Sequence, residues 1–194
     1  MQNALLSRRE RFTYAEYKEW PATPRYELID GEAYMMAPGP TCGHQDIAGH
    51  LYYLLKSFLN GKPCRPYMSP LDVVFPKDDE DVASTDTVLQ PDVAVVCDRK
   101  KINMDGHITG APDFVAEVLS PSSIFRDFDL KKQKYEQFGV REYWVLSLWA
   151  RSITQYKLIN GVYEGTDITK GRIESFVIEG FGLDLSELFA VLDL

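Results

Sequence analysis

One short run, residues 114–119 (FVAEVL), constrains the fold more than any other part of the sequence. All of its residues except Glu117 suit the interior of a β-sheet, so the run predicts a buried strand that leads into the loop SPSS. A carboxylate among apolar neighbours loses hydration worth roughly several kcal/mol unless a partner compensates for it. Glu117 is therefore expected to face a cation or a polar site.

The rest of the chain alternates between helical and strand-like patterns. A helix is predicted from His44 to Leu59, where apolar residues recur at steps of three and four and Asn60-Gly61 end the pattern. A second helix is predicted over residues 127–138, and short helices are expected near each end of the chain. Hairpins are predicted with turns at Asp30-Gly31 and Asn160-Gly161. The further predicted strands are MSPLDVVFP, PDVAVVCD and REYWVLSLW, and the acidic stretch KDDEDVASTDT is expected to be an exposed loop. This order predicts an α/β sheet with helices packed against it.

The bulk properties are those of one globular domain over residues 1–194. The chain is 45% hydrophobic and 26% charged, and no apolar run reaches the roughly 18 residues of a membrane span. The first residues lack the apolar core of a secretion signal, so a cytoplasmic location is expected. Cys42, Cys64 and Cys97 are far apart in the sequence, and we expect three unpaired thiols.

The net charge of −8 argues against a protein that coats nucleic acid with a general basic field. It does not exclude an enzyme that acts on nucleic acid. Acidic residues that hold a divalent cation add to the negative count, and the bound cation then attracts the phosphate.

Three polar residues fall where the pattern predicts burial. Asp92 opens the strand 92–96, and Glu117 lies inside the next strand along the chain. Lys131 is predicted to lie on the inward face of the following helix, whereas Lys132 points away and Lys134 lies at the edge of that face. We expect Asp92, Glu117 and Lys131 to share one cavity. The inward stripe consists of Phe128, Lys131, Tyr135 and Phe138.

Two carboxylates on adjacent strands form an oxygen-rich site suited to Mg²⁺ or Mn²⁺, and a nearby ammonium completes a minimal set for phosphodiester hydrolysis. Each residue also has a simpler explanation. Pro-Asp is common at strand starts, a single strand glutamate often faces solvent, and Lys131 could pair with Asp127 one turn away. The combination is more specific than any of its members.

The pattern Pro91-Asp92, a connection and then Glu117-Val118-Leu119 resembles the PD-(D/E)XK nuclease signature, with Leu119 at the position of the signature lysine. The longer run PDVAVV…PDFVAEVLSPSS…D…K…Y…GVREYW, with YELIDGE upstream, resembles the Uma-two family of proposed restriction endonucleases over roughly residues 11–190. The resemblance implies a restriction-endonuclease-like fold, with a mixed central sheet flanked by helices and an N-terminal β-hairpin extension.

The resemblance also implies roles for individual residues. Asp92 and Glu117 would bind Mg²⁺ (or Mn²⁺) together with the Val118 carbonyl. Lys131, on the helix, would take over the task of the strand lysine and position the attacking water or stabilise the charge on phosphorus.

Further residues are candidates for the same site, each with an alternative. His44 could be a ligand or a helix cap, and Asp72 could join the carboxylates or mark the start of a strand. Glu27 is the family's other recurrent acid and ranks below Asp92 and Glu117. The serines of the SPSS loop, Ser120, Ser122 and Ser123, are expected to cap a helix rather than to contact phosphate.

The residues and the resemblance together predict a Mg²⁺-dependent DNA endonuclease with no membrane segment. By analogy with nucleases of this fold, a homodimer is expected. Two other functions stay open. The chain could be a nuclease-fold binding protein that has lost cleavage, which Leu119 and the acidic charge favour. It could also hydrolyse another phosphodiester, such as RNA or a nucleotide.

Overall fold

The computed structural model describes residues 11–36, 39–104, 106–119 and 126–193, and for residues 126–128 it describes the backbone alone. The helices in these ranges are α1 (Tyr14–Tyr17), α2 (Cys42–Phe58), α3 (Arg126–Gln137) and α4 (Leu185–Phe189). Short 3₁₀ turns occur at Val82–Ser84, Arg99–Lys101 and Ala190–Asp193. No helix in the described ranges is long and apolar enough to cross a membrane.

The strands form two large sheets and one separate pair. In spatial order, the first sheet contains β2 (Glu32–Met35), β1 (Tyr26–Ile29), β5 (Val88–Leu89), β4 (Asp72–Val74), β8 (His107–Thr109) and β7 (Ile102–Asn103). The second contains β12 (Val162–Ile168), β11 (Ser152–Ile159), β10 (Glu142–Ser147), β9 (Phe114–Leu119), β6 (Val93–Val96) and β3 (Arg65–Met68). The separate pair is β13 (Arg172–Glu174) with β14 (Gly182–Asp184).

Both large sheets are mixed, which confirms the predicted fold class. The pairs β9–β10 and β4–β8 are parallel. The neighbouring pairs, such as β6–β9, β10–β11 and β1–β5, are antiparallel. The N-terminal hairpin, β1 with β2, forms one edge of the six-stranded first sheet and is not an isolated extension.

Side chains alternate along β9 between the two faces of the second sheet, as the two-residue period of a strand requires. Phe114 and Ala116 pack in the core that includes α2. Val115 and Leu119 face the other way, into a core shared with the first sheet and α3. Glu117 lies on the same face as Val115 and Leu119, so its carboxylate enters the layer between the two sheets.

Several predicted elements form as expected from local sequence. The predicted helix from His44 to Leu59 corresponds to α2. Both hairpin turns have the left-handed backbone of a tight two-residue turn, with φ of 49° and 78° at Asp30-Gly31 and of 52° and 81° at Asn160-Gly161. The predicted short terminal helices correspond to α1 and α4.

Two segments differ from the prediction. The single strand predicted for MSPLDVVFP is divided, because Met68 ends β3 in the second sheet and Asp72 begins β4 in the first. Pro70, between them, has no N–H to donate to a ladder. The acidic stretch 77–87 is not wholly exposed either: Thr85 and Thr87 are buried, because β5, which follows at once, enters the first sheet.

The prediction of three unpaired thiols is wrong, because Cys64 and Cys97 form a disulfide. The antiparallel register of β3 and β6 places Arg65 opposite Val96, so the residues just outside these strands also face each other. Their Cα atoms are 3.8 Å apart. Cys42, at the start of α2, is a free and exposed thiol.

We expect protein that is purified without a reductant and then denatured to bind a maleimide at one cysteine, and reduced protein to bind it at three. Intact-mass spectrometry counts the labels. The Cys42→Ser variant serves as a control, since it should show no label before reduction. Three labels on the wild type before reduction would contradict the pairing of Cys64 with Cys97.

Candidate active site

Asp92 and Glu117 are brought side by side by the pairing of β6 with β9. Val93 lies opposite Ala116, and the same register continued by one position sets Asp92 opposite Glu117. The Val118 N–H donates to Asp92 Oδ2 over 2.8 Å. Because Cβ atoms of directly opposed residues are about 4.5–5.5 Å apart, the two carboxylates are close enough to share one hydrated cation.

Lys131 reaches the same place from α3. Its Nζ lies 3.0 Å from Glu117 Oε1 and 2.8 Å from Glu27 Oε1. Tyr135, one turn further along α3, donates its hydroxyl to Glu117 Oε1 over 2.8 Å. The side chains of Lys131 and Glu117 are each 12% exposed and that of Glu27 is 9% exposed, so these charges are largely removed from water. Lys131 thus joins β1 of the first sheet to β9 of the second.

His44 contacts Asp92 from the first turn of α2. The Thr41 side chain caps this helix by accepting the His44 N–H over 3.3 Å. The imidazole Nε2 then lies 3.1 Å from Asp92 Oδ2. The other ring nitrogen, Nδ1, is buried and has no hydrogen-bond partner in the part of the chain that the structure describes. His44 is expected from the sequence to be either a ligand or a helix cap. Thr41 caps the helix instead, and the His44 imidazole supports the Asp92 carboxylate.

Burial and close charges shift the protonation of the cluster. Burial raises the pKa of Glu117 to about 7; Lys131 acts against this rise, and the Asp92 and Glu27 carboxylates add to it. Burial alone would lower the pKa of Lys131, but Glu117 and Glu27 outweigh it and hold this pKa above its usual range. Lys131 is thus the ammonium group that faces the Glu27 and Glu117 carboxylates in this cluster.

The pKa values of Asp92 and His44 shift in the directions that favour an ion pair between them. Burial acts to raise the pKa of Asp92, but the hydrogen bond from His44 and the charge on its ring outweigh burial and keep this pKa below its usual value. The same hydrogen bond raises the pKa of His44, against the effect of burial. The Asp92 carboxylate is thus held ionised by its surroundings.

Asp72 is separated from the cluster by the side chain of Gln90 and does not contact Lys131. Its Oδ1 accepts hydrogen bonds from the Tyr17 hydroxyl and from Gln90 Nε2, each over 2.9 Å. Gln90 connects Asp72 to the cluster, because its backbone N–H donates to Glu27 Oε1 over 2.8 Å.

The sequence also predicts the positions of two further lysines of α3 and a capping role for the SPSS serines. Lys134, expected at the edge of the inward stripe, is buried, and its Nζ lies 2.7 Å from Asp30 Oδ2. Lys132 carries no carboxylate partner among the described residues and lies over the Tyr156 ring. Ser120, Ser122, Ser123 and the side chain of Asp127 lie outside the described residues.

Sequence reasoning missed the polar roles of Tyr135 and Gln90. Tyr135 was visible as a member of the inward stripe one turn after Lys131, and only its hydroxyl contact with Glu117 was not foreseen. Gln90 carries no sequence signal, because its role depends on the pairing of β5 with β1 and β4.

Comparison with known proteins agrees with this architecture. Residues 14–186 match the model of the Uma2 family, described as "Putative restriction endonuclease". The chain belongs to the Uma2 family. A search of curated proteins gives no match.

Among solved structures, this Uma2 chain is similar to a crystal structure described as a "putative nuclease belonging to DUF820" from Anabaena variabilis ATCC 29413. The two share 22% sequence identity, and the match covers 93% of this chain and 99% of the other with a TM-score of 0.74. At this identity the likeness shows a common fold.

The oxygen ligands of the cluster fit a magnesium ion. In the described ranges no three His, Cys, Asp or Glu side chains are grouped closely enough to form a metal cage. Mg²⁺, however, usually takes one or two carboxylates and completes its shell with waters and substrate phosphates. Asp92 Oδ1 and Glu117 Oε2 make no hydrogen bond to any described residue, so each carboxylate retains an oxygen for such an ion.

We expect Lys131→Met to destabilise the fold by about 3–5 kcal/mol, because it leaves Glu27 and Glu117 buried without their cation. The matched control is Lys132→Met on the same helix, which should cost no more than about 0.5 kcal/mol. Urea unfolding in the presence of a chelator measures both free energies of unfolding. Adding Glu27→Gln to Lys131→Met should recover part of the loss. Equal losses for the two single variants would contradict the paired role of Lys131.

Proposed function

We propose that this protein is a Mg²⁺-dependent endonuclease that hydrolyses phosphodiester bonds of DNA. The observation that carries the proposal is the contact of Lys131 with Glu117, beside Asp92, in a layer between two sheets. An aspartate, a glutamate and a lysine thus meet at one point although Leu119 holds the signature lysine position. Membership of the Uma2 family and the fold shared with the DUF820 protein support the same conclusion.

Each side chain of the cluster has a chemical task in this proposal. The carboxylates of Asp92 and Glu117, with the Val118 carbonyl, would hold the metal ion. A bound Mg²⁺ supplies a polarised phosphoryl oxygen and a water of lowered pKa. Glu27 and Glu117 keep Lys131 in its ammonium form, so it serves as a hydrogen-bond donor that orients the attacking water or stabilises negative charge on phosphorus.

The supporting residues act through these groups. His44 and the Val118 N–H fix the Asp92 carboxylate and keep it ionised. Glu27 and Tyr135 hold Lys131 and Glu117 in place. We assign these four groups to positioning.

A nuclease-fold binding protein without cleavage is the second candidate. The observation that favours it is the engagement of Glu117 Oε1 by both Lys131 and Tyr135, which leaves a single oxygen of this carboxylate for a metal. The net charge of −8 also favours a binding protein over an enzyme that acts on DNA, because it disfavours tight binding to DNA in the absence of a cation.

We expect the purified wild type to relax or linearise supercoiled plasmid when Mg²⁺ or Mn²⁺ is present and not when a chelator replaces it. Glu117→Gln and Asp92→Asn should each lower the rate by a factor on the order of 100 or more, since each removes a charged ligand oxygen. The control is Asp98→Asn, an exposed acid outside the cluster. Cleavage undiminished in Glu117→Gln would mean a contaminant or another site.

Metal binding measured directly separates the two candidate functions. Electron paramagnetic resonance of Mn²⁺ should show ions bound to the wild type and fewer bound to Asp92→Asn, whether or not DNA is cut. Binding of Mn²⁺ without cleavage of DNA, RNA or a dinucleotide would favour the binding protein. Cleavage of RNA but not of DNA would move the substrate of the proposed enzyme to RNA.

By analogy with nucleases of this fold, we extend the proposal to a two-fold homodimer, which would present two sites to the two strands of a duplex. Light scattering coupled to gel filtration should give twice the 22.1 kDa mass of the chain. A monomer mass at working concentration would refute the dimer and leave the chemistry of the site unchanged.

A further inference from the structure

A cleft of about 480 Å³ lies on the α1 side of the first sheet, bordered by α1, the segment that follows it and the loop before β4. Glu27 and Lys131 lie on the opposite face of the same sheet. Its aromatic wall contains Tyr14, Tyr17, Trp20 and Tyr26. The Trp20 ring centroid lies 5.4 Å from that of Tyr17 and 5.5 Å from that of Tyr26. The volume falls within the range of about 300–1,000 Å³ that small-ligand sites occupy.

The cleft also has a polar part, formed by Asp72 and Gln90. Asp72 Oδ1 is fully used by Tyr17 and Gln90, whereas Asp72 Oδ2 makes no hydrogen bond to any residue that the structure describes. A carboxylate oxygen can accept a hydrogen bond from an amino or imino group of a base. An aromatic ring beside a polar edge complements a nucleobase, which has two π faces and a hydrogen-bonding rim.

Two cations line the same cleft, Arg25 and Lys18. Arg25 Nη1 is only weakly held, at 3.4 Å from Gln90 Oε1 and 3.5 Å from Ser69 Oγ, and it has no carboxylate partner within the described ranges. Lys18 is exposed. In a chain of net charge −8, such cations beside an aromatic wall are suited to a phosphate group.

Gln90 joins the cleft to the candidate site. Its side chain lines the cleft, and its N–H donates to Glu27 Oε1, the atom that also contacts Lys131. Gln90 stands two residues before Asp92, a separation of about 7 Å in extended chain. The cleft and the candidate site thus meet at Gln90, and a nucleic-acid strand would pass around this edge of the first sheet to reach both.

We propose that this aromatic cleft binds one unstacked nucleobase of the nucleic-acid substrate, at a position set back from the bond that is cut. The inference rests on the proposed nuclease function and adds to it a preference for a single-stranded or distorted strand. The Trp20 ring stacks on the base, Asp72 accepts a hydrogen bond from its edge, and Arg25 contacts the adjoining phosphate.

The test is fluorescence anisotropy with the Glu117→Gln protein, which is expected not to cut, in the presence of Mg²⁺. The probes are a labelled single-stranded oligonucleotide and the fully paired duplex of the same sequence. We expect the single strand to bind more tightly. Trp20→Leu and Arg25→Gln should each weaken its binding about tenfold, as the loss of a stacked base or a phosphate contact does. Arg25 lies outside the ring cluster, so Arg25→Gln tests the cleft even if Trp20→Leu fails to fold.

Phe176→Leu provides the matched control. Phe176 is a half-exposed aromatic residue whose N–H donates to Glu142, near the Phe114 end of β9. This variant should bind both probes within twofold of the parent protein. Binding by Trp20→Leu and Arg25→Gln at the level of Phe176→Leu would overturn the assignment of the cleft. Competition by a free mononucleotide as effective as that by the oligonucleotide would overturn it too, since the ligand would then be a nucleotide rather than a strand.

Plasmid cleavage by the same cleft variants in an otherwise wild-type chain separates this proposal from the nuclease itself. Normal cleavage together with unaltered single-strand binding would remove the cleft assignment and leave the enzyme intact. A wild type that neither binds nor cleaves any nucleic acid would remove both proposals.

Discussion

One ammonium group, held between a carboxylate of each large sheet, is the contact on which the candidate site depends. Lys131 Nζ lies 2.8 Å from Glu27 on β1 and 3.0 Å from Glu117 on β9. Removing such ions from water costs several kcal/mol per ion, and close pairing with added hydrogen bonds offsets that cost only when the geometry is good. Any shift of α3 against either sheet would leave a buried charge unpaired. The ion pairs therefore fix the helix and both sheets relative to one another.

The same contact gives a physical reason for Leu119 at the signature lysine position. Leu119 lies on the face of β9 that also carries Glu117, and it packs in the core between the sheets. What phosphodiester chemistry requires is a cation beside the carboxylates, wherever in the chain its side chain originates. In the proposed nuclease, a lysine on the helix that covers this face would meet the requirement, and the strand position is then free to contribute to the core.

Much of this arrangement follows from the sequence because it depends on local periodicity. The two-residue period of β9 sets the face of Glu117, and the helical period of α3 sets the face of Lys131 toward it. Glu27 could not be placed with the same certainty, because its contact depends on how the first sheet stacks on the second. Gln90, Tyr17 and the aromatic cleft depend on the strand order of the first sheet, which pairs β5 with both β1 and β4. The Cys64–Cys97 bond likewise follows from the β3–β6 register, a pairing between segments far apart in the chain.

The hairpin turn at Asp30 is tied to α3 by Lys134, across a separation of 104 residues. This tie has a consequence for the order in which a growing chain acquires its chemistry. A nascent chain translated only through β9 already carries both proposed metal ligands, yet it lacks the ammonium and the helix that would close over them. Contacts between such distant segments form slowly, because the loop entropy is lost before the contact energy is gained. Catalytic competence would thus arise late, after α3 has left the ribosome and docked onto the hairpin, so unfinished chains would be harmless to nucleic acid.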